Sequence, residues 1–210
     1  MILIGQYDSP FVRRVAVALH LYGMPYEHRP WSVFGDADEL AAYNPLRRVP
    51  TLVLDDGEVL IESSAMLDAI DDMVGRERAL IPASGPSRRK ALKVCALATG
   101  LADKAVALVY ERVLHERNTP VWTARCRSQI GDVLDVLEAD RAARPTTYWF
   151  GDAIGHADVA VACALRFVGE AHPDVVDLAA QPALAAHATR CEALAPFQAV
   201  QQAFKVTLPA

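Results

Sequence analysis

Short apolar runs of strand length alternate with helical stretches through the first 75 residues, which excludes a purely helical fold for this part of the chain. Strands are expected at 2–4, 26–29, 51–54 and 59–61, and helices at 10–22 and 36–44, with a last helix that ends at Gly75. Asp56 and Gly57 join the last two strand runs, and this pair suits a hairpin turn that needs positive φ. The expected element order is βαβαββα, with parallel pairing first and an antiparallel hairpin after it.

Polar residues mark where the three helices of this part begin. Ser9 is predicted to cap a helix that Pro10 opens, because proline is tolerated where a backbone N–H has no partner. Asp36 stands three residues before a glutamate, the spacing of a capping box. Ser63 or Ser64 is predicted to cap the last helix.

The sequence pattern changes after residue 86, where apolar residues recur every three or four positions, as they do in helices. Helices are predicted at 87–115, 121–143, 156–169 and 182–194. Proline, glycine and serine concentrate just before this change, which is typical of a linker. The sequence therefore predicts a thioredoxin-like α/β domain at 1–76, a linker at 77–86 and an all-helical domain at 87–210.

Composition narrows the range of functions. Hydrophobic residues make up 52% of the chain, charged residues 22%, and the formal net charge is -5. An acidic chain without a basic face is a poor partner for nucleic acid, and no apolar stretch has the length of a membrane span. The first residues do not resemble a secretion signal, so we expect a cytoplasmic protein.

Cysteine placement excludes one kind of chemistry from the first half. Cys95, Cys126, Cys163 and Cys191 are widely separated and form no CxxC pair. They are expected to be reduced core residues, and neither they nor the histidines show the spacing of metal ligands. Chemistry in the first domain is therefore expected to use neither a protein thiolate nor a metal, which disfavours disulfide reduction.

Four segments resemble the recurrent signatures of the cytosolic glutathione transferase family, in order and at its spacing. They are SPFVRRV at 9–15, NPLRRVPTL at 44–52, ESSAMLDAID at 62–71 and GDAIGHADVAVA at 151–162. The short SPF start and the absence of a nearby cysteine are similar to the serine-type bacterial members. The resemblance covers nearly the whole chain and implies the thioredoxin-like plus helical fold, glutathione as co-substrate and a homodimer.

The resemblance also implies a set of glutathione-binding residues, namely Phe11, Arg48, Val49, Pro50, Glu62 and Ser63. A cis bond before Pro50 would leave the backbone of Val49 facing outward, able to pair with glutathione as an added strand. Ser63 would take the γ-glutamyl carboxylate at a helix N-terminus, with Glu62 near the ammonium and Arg48 near the glycyl carboxylate.

Two residues compete for the role of thiolate donor. Ser9 stands at a helix start, where a hydroxyl and the helix dipole would both stabilise a thiolate. Tyr7 is the alternative, because tyrosine-type members carry their donor near the end of the first strand. Val106, Tyr110 and Phe11 are candidates for the apolar wall of a second-substrate pocket.

Three other residues receive separate predictions. Arg47 stands where the family commonly has glycine, so a positive φ there would cost about 1 kcal/mol. Asp158 is predicted to reach back to the start of its own helix and to serve folding. Arg13 suits either a structural ion pair or the site.

The sequence therefore predicts a glutathione transferase that activates the thiol for attack on a small electrophile. The alternative is a non-catalytic interaction or regulatory protein that kept the same fold.

Overall fold

The computed structural model describes residues 1–206, which form two compact units. The first unit contains residues 1–83 together with 195–206, and the second contains residues 84–194. The sequence predicted that everything from residue 87 onward would belong to the helical domain. Segment 195–206 departs from that prediction because it packs with the first unit.

The first unit is built on a four-stranded mixed sheet. Its strands are β1 (Ile2–Ile4), β2 (Glu27–Arg29), β3 (Thr51–Val53) and β4 (Val59–Ile61), in the order β2-β1-β3-β4. β1 pairs with β2 in parallel, whereas the β1–β3 and β3–β4 pairs are antiparallel. This is the predicted thioredoxin-like topology, and it brings the residues that follow β1 close to those that precede β3.

Three helices complete the α/β part of this unit: α1 (Pro10–Tyr22), α2 (Ala37–Ala41) and α3 (Ser63–Val74). Ile4, Leu40 and Val53 form a buried cluster that joins the sheet to α2, and half-buried Val49 packs against it. Burial of such side chains contributes about 1.5–3 kcal/mol each. The segment before Pro50 is therefore anchored in the core.

Gly5 lets the end of β1 lie against two other segments. Its φ is 130°, and a Cβ placed there would stand 2.5 Å from Cγ2 of Val12 and 2.7 Å from Cβ of Val49. Contacts this short would displace either α1 or the segment before Pro50. Gly5 thus allows β1, α1 and Val49 to meet.

Two of the predicted helix caps differ in the structure. Asp36 precedes α2 but makes no cap bond there, because its Oδ2 accepts instead from the backbone N–H of Ser32 at 2.7 Å. Glu62, rather than Ser63 or Ser64, occupies the N-cap position of α3.

The second unit is helical, as predicted. Its longer helices are α4 (Gly85–Leu114), α5 (Pro120–Ala142), α6 (His156–Ala171) and α7 (Pro182–Glu192), with a short 3₁₀ turn at Leu178–Ala180. α4 packs against α5 and α6, and α6 packs against α7. No helix within residues 1–206 combines the length and apolar character needed to cross a bilayer.

Large side chains of the second unit differ in burial. Trp149 is fully buried, whereas Trp122 keeps 37% of its surface exposed. All four cysteines are free, and Cys95 alone among them is only half-buried. The last described residues form α8 (Ala195–Gln198) and an irregular segment, and both belong to the first unit.

Candidate functional site

A cavity on the first unit gathers all six residues predicted to bind glutathione. It is lined by Phe11, Asn44, Leu46, Arg48, Val49, Pro50, Ile61, Glu62 and Ser63. These residues come from three segments: the start of α1, the loop before β3, and the junction of β4 with α3. Residues far apart in sequence are therefore brought to one surface by the sheet order.

Asn44, which sequence reasoning did not assign to the site, holds the loop before β3. It is 1% exposed, and its Nδ2 donates to the carbonyl of Arg48 at 3.0 Å and to Oγ1 of Thr51 at 3.1 Å. Its Oδ1 accepts from the N–H of Leu46 at 3.0 Å. A buried amide satisfied on both sides fixes the loop that presents Arg48 and Val49. An Asn-Pro pair ahead of the strand was its sequence signal.

The peptide bond between Val49 and Pro50 is cis, as the resemblance implied. Within residues 1–206, neither the N–H nor the C=O of Val49 has a hydrogen-bond partner. An unpaired backbone edge beside a cavity can accept an extended peptide as an extra strand.

The two arginines of this loop differ in position. Arg47 adopts a φ of 50°, so the positive φ is retained without glycine, and its guanidinium pairs with exposed Asp38 at 3.0 Å. Arg48 is exposed and lines the cavity. Arg48 can therefore offer a positive charge to a ligand there, while Arg47 is directed to another partner.

The start of α3 forms the opposite wall of the cavity. Glu62 has a φ of 68°, an uncommon conformation for a residue with a side chain, and such conformations are frequent at functional sites. Ser63 is 1% exposed, and its Oγ lies 3.4 Å from Oε1 of Glu62. The N–H groups in the first turn of a helix and the positive end of its dipole favour an anion at this wall.

Ser9 caps α1 as predicted, and the cap leaves its proton available. Its Oγ accepts from the N–H of Val12 at 3.4 Å, and no other partner of this hydroxyl is found in residues 1–206. A hydroxyl that accepts through a lone pair still has its O–H to donate. Ser9 does not line the cavity, but it precedes cavity residue Phe11 by two positions.

Tyr7 is held by contacts of its own. Its hydroxyl lies 2.8 Å from that of Tyr26, and its ring stacks on His28 with centroids 3.8 Å apart. Burial raises the pKa of the Tyr7 phenol, and the hydrogen bond with Tyr26 partly offsets that effect. Tyr7 does not line the cavity either.

The remaining predicted residues lie outside this cavity. Arg13 is buried and donates to the backbone carbonyls of Val200 and Phe197, which is a structural role. Val106 and Tyr110 lie on α4 of the second unit, where Val106 is half-buried and Tyr110 is exposed. Their role toward a second substrate stays a prediction.

Asp158 has the folding role that was predicted. Its Oδ2 accepts from the N–H of Gly155 at 2.9 Å, and its Oδ1 accepts from the N–H of Trp149 at 2.7 Å. The carboxylate thus joins the start of α6 to the segment before it.

These features define a class of protein: a thioredoxin-like unit with a cavity beside an unpaired backbone edge, followed in sequence by a helical unit. The glutathione S-transferase N-terminal domain family matches residues 3–78, and the corresponding C-terminal domain family matches residues 120–190. The chain belongs to the glutathione S-transferase family. The predicted family and fold are confirmed.

Three relatives illustrate this membership. A glutathione S-transferase from Methylobacterium radiotolerans, solved with glutathione sulfonate, is 27% identical with a TM-score of 0.91, covering 100% of this chain and 98% of its own. A family member from Pseudomonas fluorescens Pf-5, solved with glutathione, is 32% identical with a TM-score of 0.81, covering 95% and 98%. The uncharacterised GST-like protein YibF of Escherichia coli is 28% identical over 80% of this chain and 82% of its own.

Proposed function

We propose that this protein is a glutathione transferase that binds glutathione in the cavity between the loop before β3 and the start of α3. The observation that carries this proposal is the convergence of an unpaired backbone edge at Val49 and a helix N-terminus at Ser63 on one cavity. Glutathione is an extended peptide with an anionic end, so it matches both features.

Each part of glutathione has a counterpart in the cavity. The cysteinyl backbone pairs with the N–H and C=O of Val49, which continues the sheet by one short strand. The γ-glutamyl carboxylate binds at the start of α3 beside Ser63, and Glu62 receives the ammonium group. Arg48 attracts the glycyl carboxylate. This arrangement directs the thiol toward the start of α1.

Ser9 supplies the chemistry in this proposal. A free thiol has a pKa of about 8.5 and is mostly protonated at neutral pH, whereas the thiolate is the nucleophile. The available O–H of Ser9 donates to the sulfur anion, and the N-terminus of α1 adds its dipole. The thiol proton goes to solvent. The thiolate then forms a C–S bond to the electrophile, which releases its leaving group with the bonding electrons.

Ser9 is preferred to Tyr7 because of where each hydroxyl stands. The Tyr7 hydroxyl lies 2.8 Å from that of Tyr26, burial raises the pKa of its phenol, and its ring is stacked on His28. Ser9 is the N-cap of α1, where the helix dipole also favours an anion. On this assignment we propose that the protein is a serine-type member of the family.

Relatives solved with glutathione or an analogue bound do not favour the non-catalytic alternative. We further propose a homodimer, since two-fold pairs are the commonest assembly, and light scattering at micromolar concentration should give twice the chain mass. Four free cysteines accord with a reducing compartment such as the cytoplasm. The second substrate is a small electrophile beside Val106 and Tyr110.

Calorimetric titration with glutathione tests the binding proposal directly. The wild type should bind, and Arg48→Gln, which alters an exposed side chain, should bind more weakly while keeping the wild-type unfolding curve. A conjugation screen with an aryl halide and an activated alkene, together with a peroxidase assay with a hydroperoxide, then tests catalysis. Binding without turnover of any electrophile would restore the regulatory alternative, and an absence of binding would contradict the proposed site.

A further inference from the structure

The turn that carries Ser9 is held by the end of the described chain. The N–H of Ser9 donates to the carbonyl of Gln6 at 3.2 Å, so Tyr7 and Asp8 are the two central residues of a four-residue turn. The turn itself does not satisfy the N–H of its first central residue. That group donates instead to Oε1 of Gln202 at 3.0 Å, across 195 positions of sequence.

A second contact from the same segment reaches the other central residue. The backbone N–H of Lys205 donates to Oδ2 of Asp8 at 3.3 Å. Adjacent central residues of one turn are therefore both engaged by segment 199–206. Gln202 is half-buried, and its neighbour Gln201 is exposed.

The segment is itself fixed to α1. Buried Arg13 donates through Nε to the carbonyl of Val200 at 3.2 Å and through Nη2 to that of Phe197 at 3.1 Å. Its guanidinium carbon also lies 5.5 Å from the centroid of the Phe197 ring. Hydrogen bonds from a charged donor are among the stronger ones in proteins. Arg13 follows Ser9 by four positions on the same helix start, so the segment and the turn share one support.

The other side of the turn rests on the sheet. Nε2 of His28 lies 2.8 Å from the carbonyl of Gly5, and because a carbonyl only accepts, this nitrogen carries the proton. The Tyr7 ring stacks on the same His28. One wall of the turn is thus made by β2, and the other by segment 199–206.

We propose that Gln202 is a positioning residue for the thiolate donor, holding the turn at Tyr7 so that the Ser9 hydroxyl meets the glutathione sulfur. This inference rests on the proposed role of Ser9. A hydroxyl displaced by a fraction of an ångström loses much of a directional hydrogen bond, because such bonds weaken steeply with angle and distance. Gln202 touches neither substrate nor reacting atoms and acts through the turn.

The test compares Gln202→Ala with Gln201→Ala, which alters the exposed neighbour. Conjugation at a pH below the thiol pKa should fall about three- to tenfold in Gln202→Ala, through kcat rather than through KM for glutathione. The thiolate absorbance of bound glutathione should titrate at a higher pH. Gln202→Glu, which keeps an accepting oxygen for the N–H of Tyr7, should retain most of the wild-type kcat, and Gln201→Ala should match the wild type. Asp8→Ala removes the second contact and should act in the same direction.

A double-mutant cycle separates this inference from the role of Ser9. If Gln202 acts through Ser9, Gln202→Ala should have little further effect in the Ser9→Ala background. Full additivity, or an unchanged thiol pKa in Gln202→Ala, would overturn the positioning role. If Ser9→Ala itself has no effect while Gln202→Ala does, the assignment of Ser9 fails and the segment acts on another donor.

Discussion

The starts of α1 and α6 solve the same problem in opposite ways. At α6 the cap residue is glycine, which offers no side-chain oxygen, and Asp158 in the first turn accepts from the backbone N–H groups of Gly155 and Trp149. Asp158 is 1% exposed, and both of its oxygens are used in this way. At α1 the cap is Ser9, which is half-buried and keeps its proton without a partner in the described chain. The polar side chain at one helix start is committed to backbone donors, and the one at the other retains a donor.

This difference separates a folding role from a catalytic one. A buried carboxylate must have its hydrogen bonds, since burial disfavours its charge, and burial does raise the pKa of Asp158 despite the two N–H donors. A catalytic donor needs the reverse, a proton that the fold leaves uncommitted until substrate arrives. Capping through a lone pair would let Ser9 serve both as the cap and as the proposed donor.

The largest expected effect is a loss of folding stability, caused by a change at the start of α6. Asp158→Ala should lower the free energy of unfolding by about 2–4 kcal/mol, because the N–H groups of Trp149 and Gly155 lose their acceptor. Urea unfolding followed by circular dichroism measures this, and Asp158→Asn, which keeps one accepting oxygen, should lose less. An Asp158→Ala protein as stable as the wild type would show that the two N–H groups find other partners. A raised thiol pKa in the same variant would contradict the separation of roles.

The same buried region should respond to acid. His187 is fully buried beside Asp158, and burial lowers the pKa of its imidazole to about 4. The unfolded chain takes up this proton near pH 6.5 and the folded chain only near pH 4, so stability falls as pH falls between these values. At 1.36 kcal/mol per pH unit the loss is about 3 kcal/mol.

Asp158 contributes to the pH dependence of stability with the opposite sign, at the acidic end of the pH range. Its pKa is raised, so the folded state binds that proton more readily and acid costs less stability there. Unfolding free energies measured from pH 7 to pH 4.5 should decline in the wild type. Burial also lowers the pKa of His172, which therefore adds to the decline with the same sign. The decline should be shallower in His187→Gln. Equal slopes in the two proteins would show that this histidine does not carry the acid sensitivity.

The next largest effect is expected on thiol activation, caused by a change at the start of α1. Ser9→Ala should raise the pKa of bound glutathione by about one to two units, because a hydrogen bond to a charged group is worth about 1.5–3 kcal/mol. Below that pKa, conjugation should drop about tenfold to a hundredfold, with little change in glutathione affinity. Ultraviolet thiolate absorbance of the bound thiol gives the titration.

Tyr7→Phe is the matched control, since it removes the rival hydroxyl and keeps the ring stacked on His28. It should leave the thiol pKa close to that of the wild type. The reverse pattern, with Ser9→Ala unchanged and Tyr7→Phe raised, would transfer the donor role to Tyr7. Two unchanged values would indicate that the helix dipole alone activates the thiol.

Sequence patterns predicted the two helix starts to different degrees. Ser9 and Asp158 were both assigned correctly as groups at a helix start, because a cap is decided by residues within four positions of each other. The cap of α3 was missed, because the positive φ of Glu62 depends on how β4 meets α3 rather than on local preference. Local chemistry is readable in sequence, and backbone conformation imposed by tertiary packing is not.

Two residues that support the site were also missed from the sequence. Asn44 resembles an ordinary turn residue before proline, and its burial appears only when the loop folds over Thr51. The contact of Gln202 with Tyr7 joins residues 195 positions apart in sequence. Gln202 lies in an irregular segment, whose sequence has no helix or strand pattern from which the contact could be predicted. The residues that would touch glutathione follow from the motifs, whereas those that hold them in place do not.

A smaller effect should distinguish the adjacent arginines of the cavity loop. Arg48→Gln should weaken glutathione binding about two- to fivefold and reduce its sensitivity to salt, since an exposed charge pair is worth up to about 1 kcal/mol and is screened. Arg47→Gln is the control, and its affinity should stay that of the wild type because the Arg47 guanidinium pairs with Asp38. Calorimetric titration at 50 and 500 mM salt, concentrations on either side of the physiological range, makes the comparison. Wild-type binding that ignores salt would contradict the electrostatic account of the cavity, including the helix start at Ser63.

The smallest effect concerns the backbone of the same loop. Arg47 adopts a φ of 50°, so Arg47→Gly removes a penalty of about 1 kcal/mol from the folded state. It also gives the unfolded chain more freedom and deletes the exposed pair with Asp38, and both changes act in the opposite direction. The free energy of unfolding should therefore change by less than about 0.5 kcal/mol. Asp38→Ala removes the ion pair while Arg47 stays in place. The double variant Asp38→Ala/Arg47→Gly should be more stable than Asp38→Ala alone. A loss of stability there would mean that the arginine side chain supports the loop through contacts other than the one with Asp38.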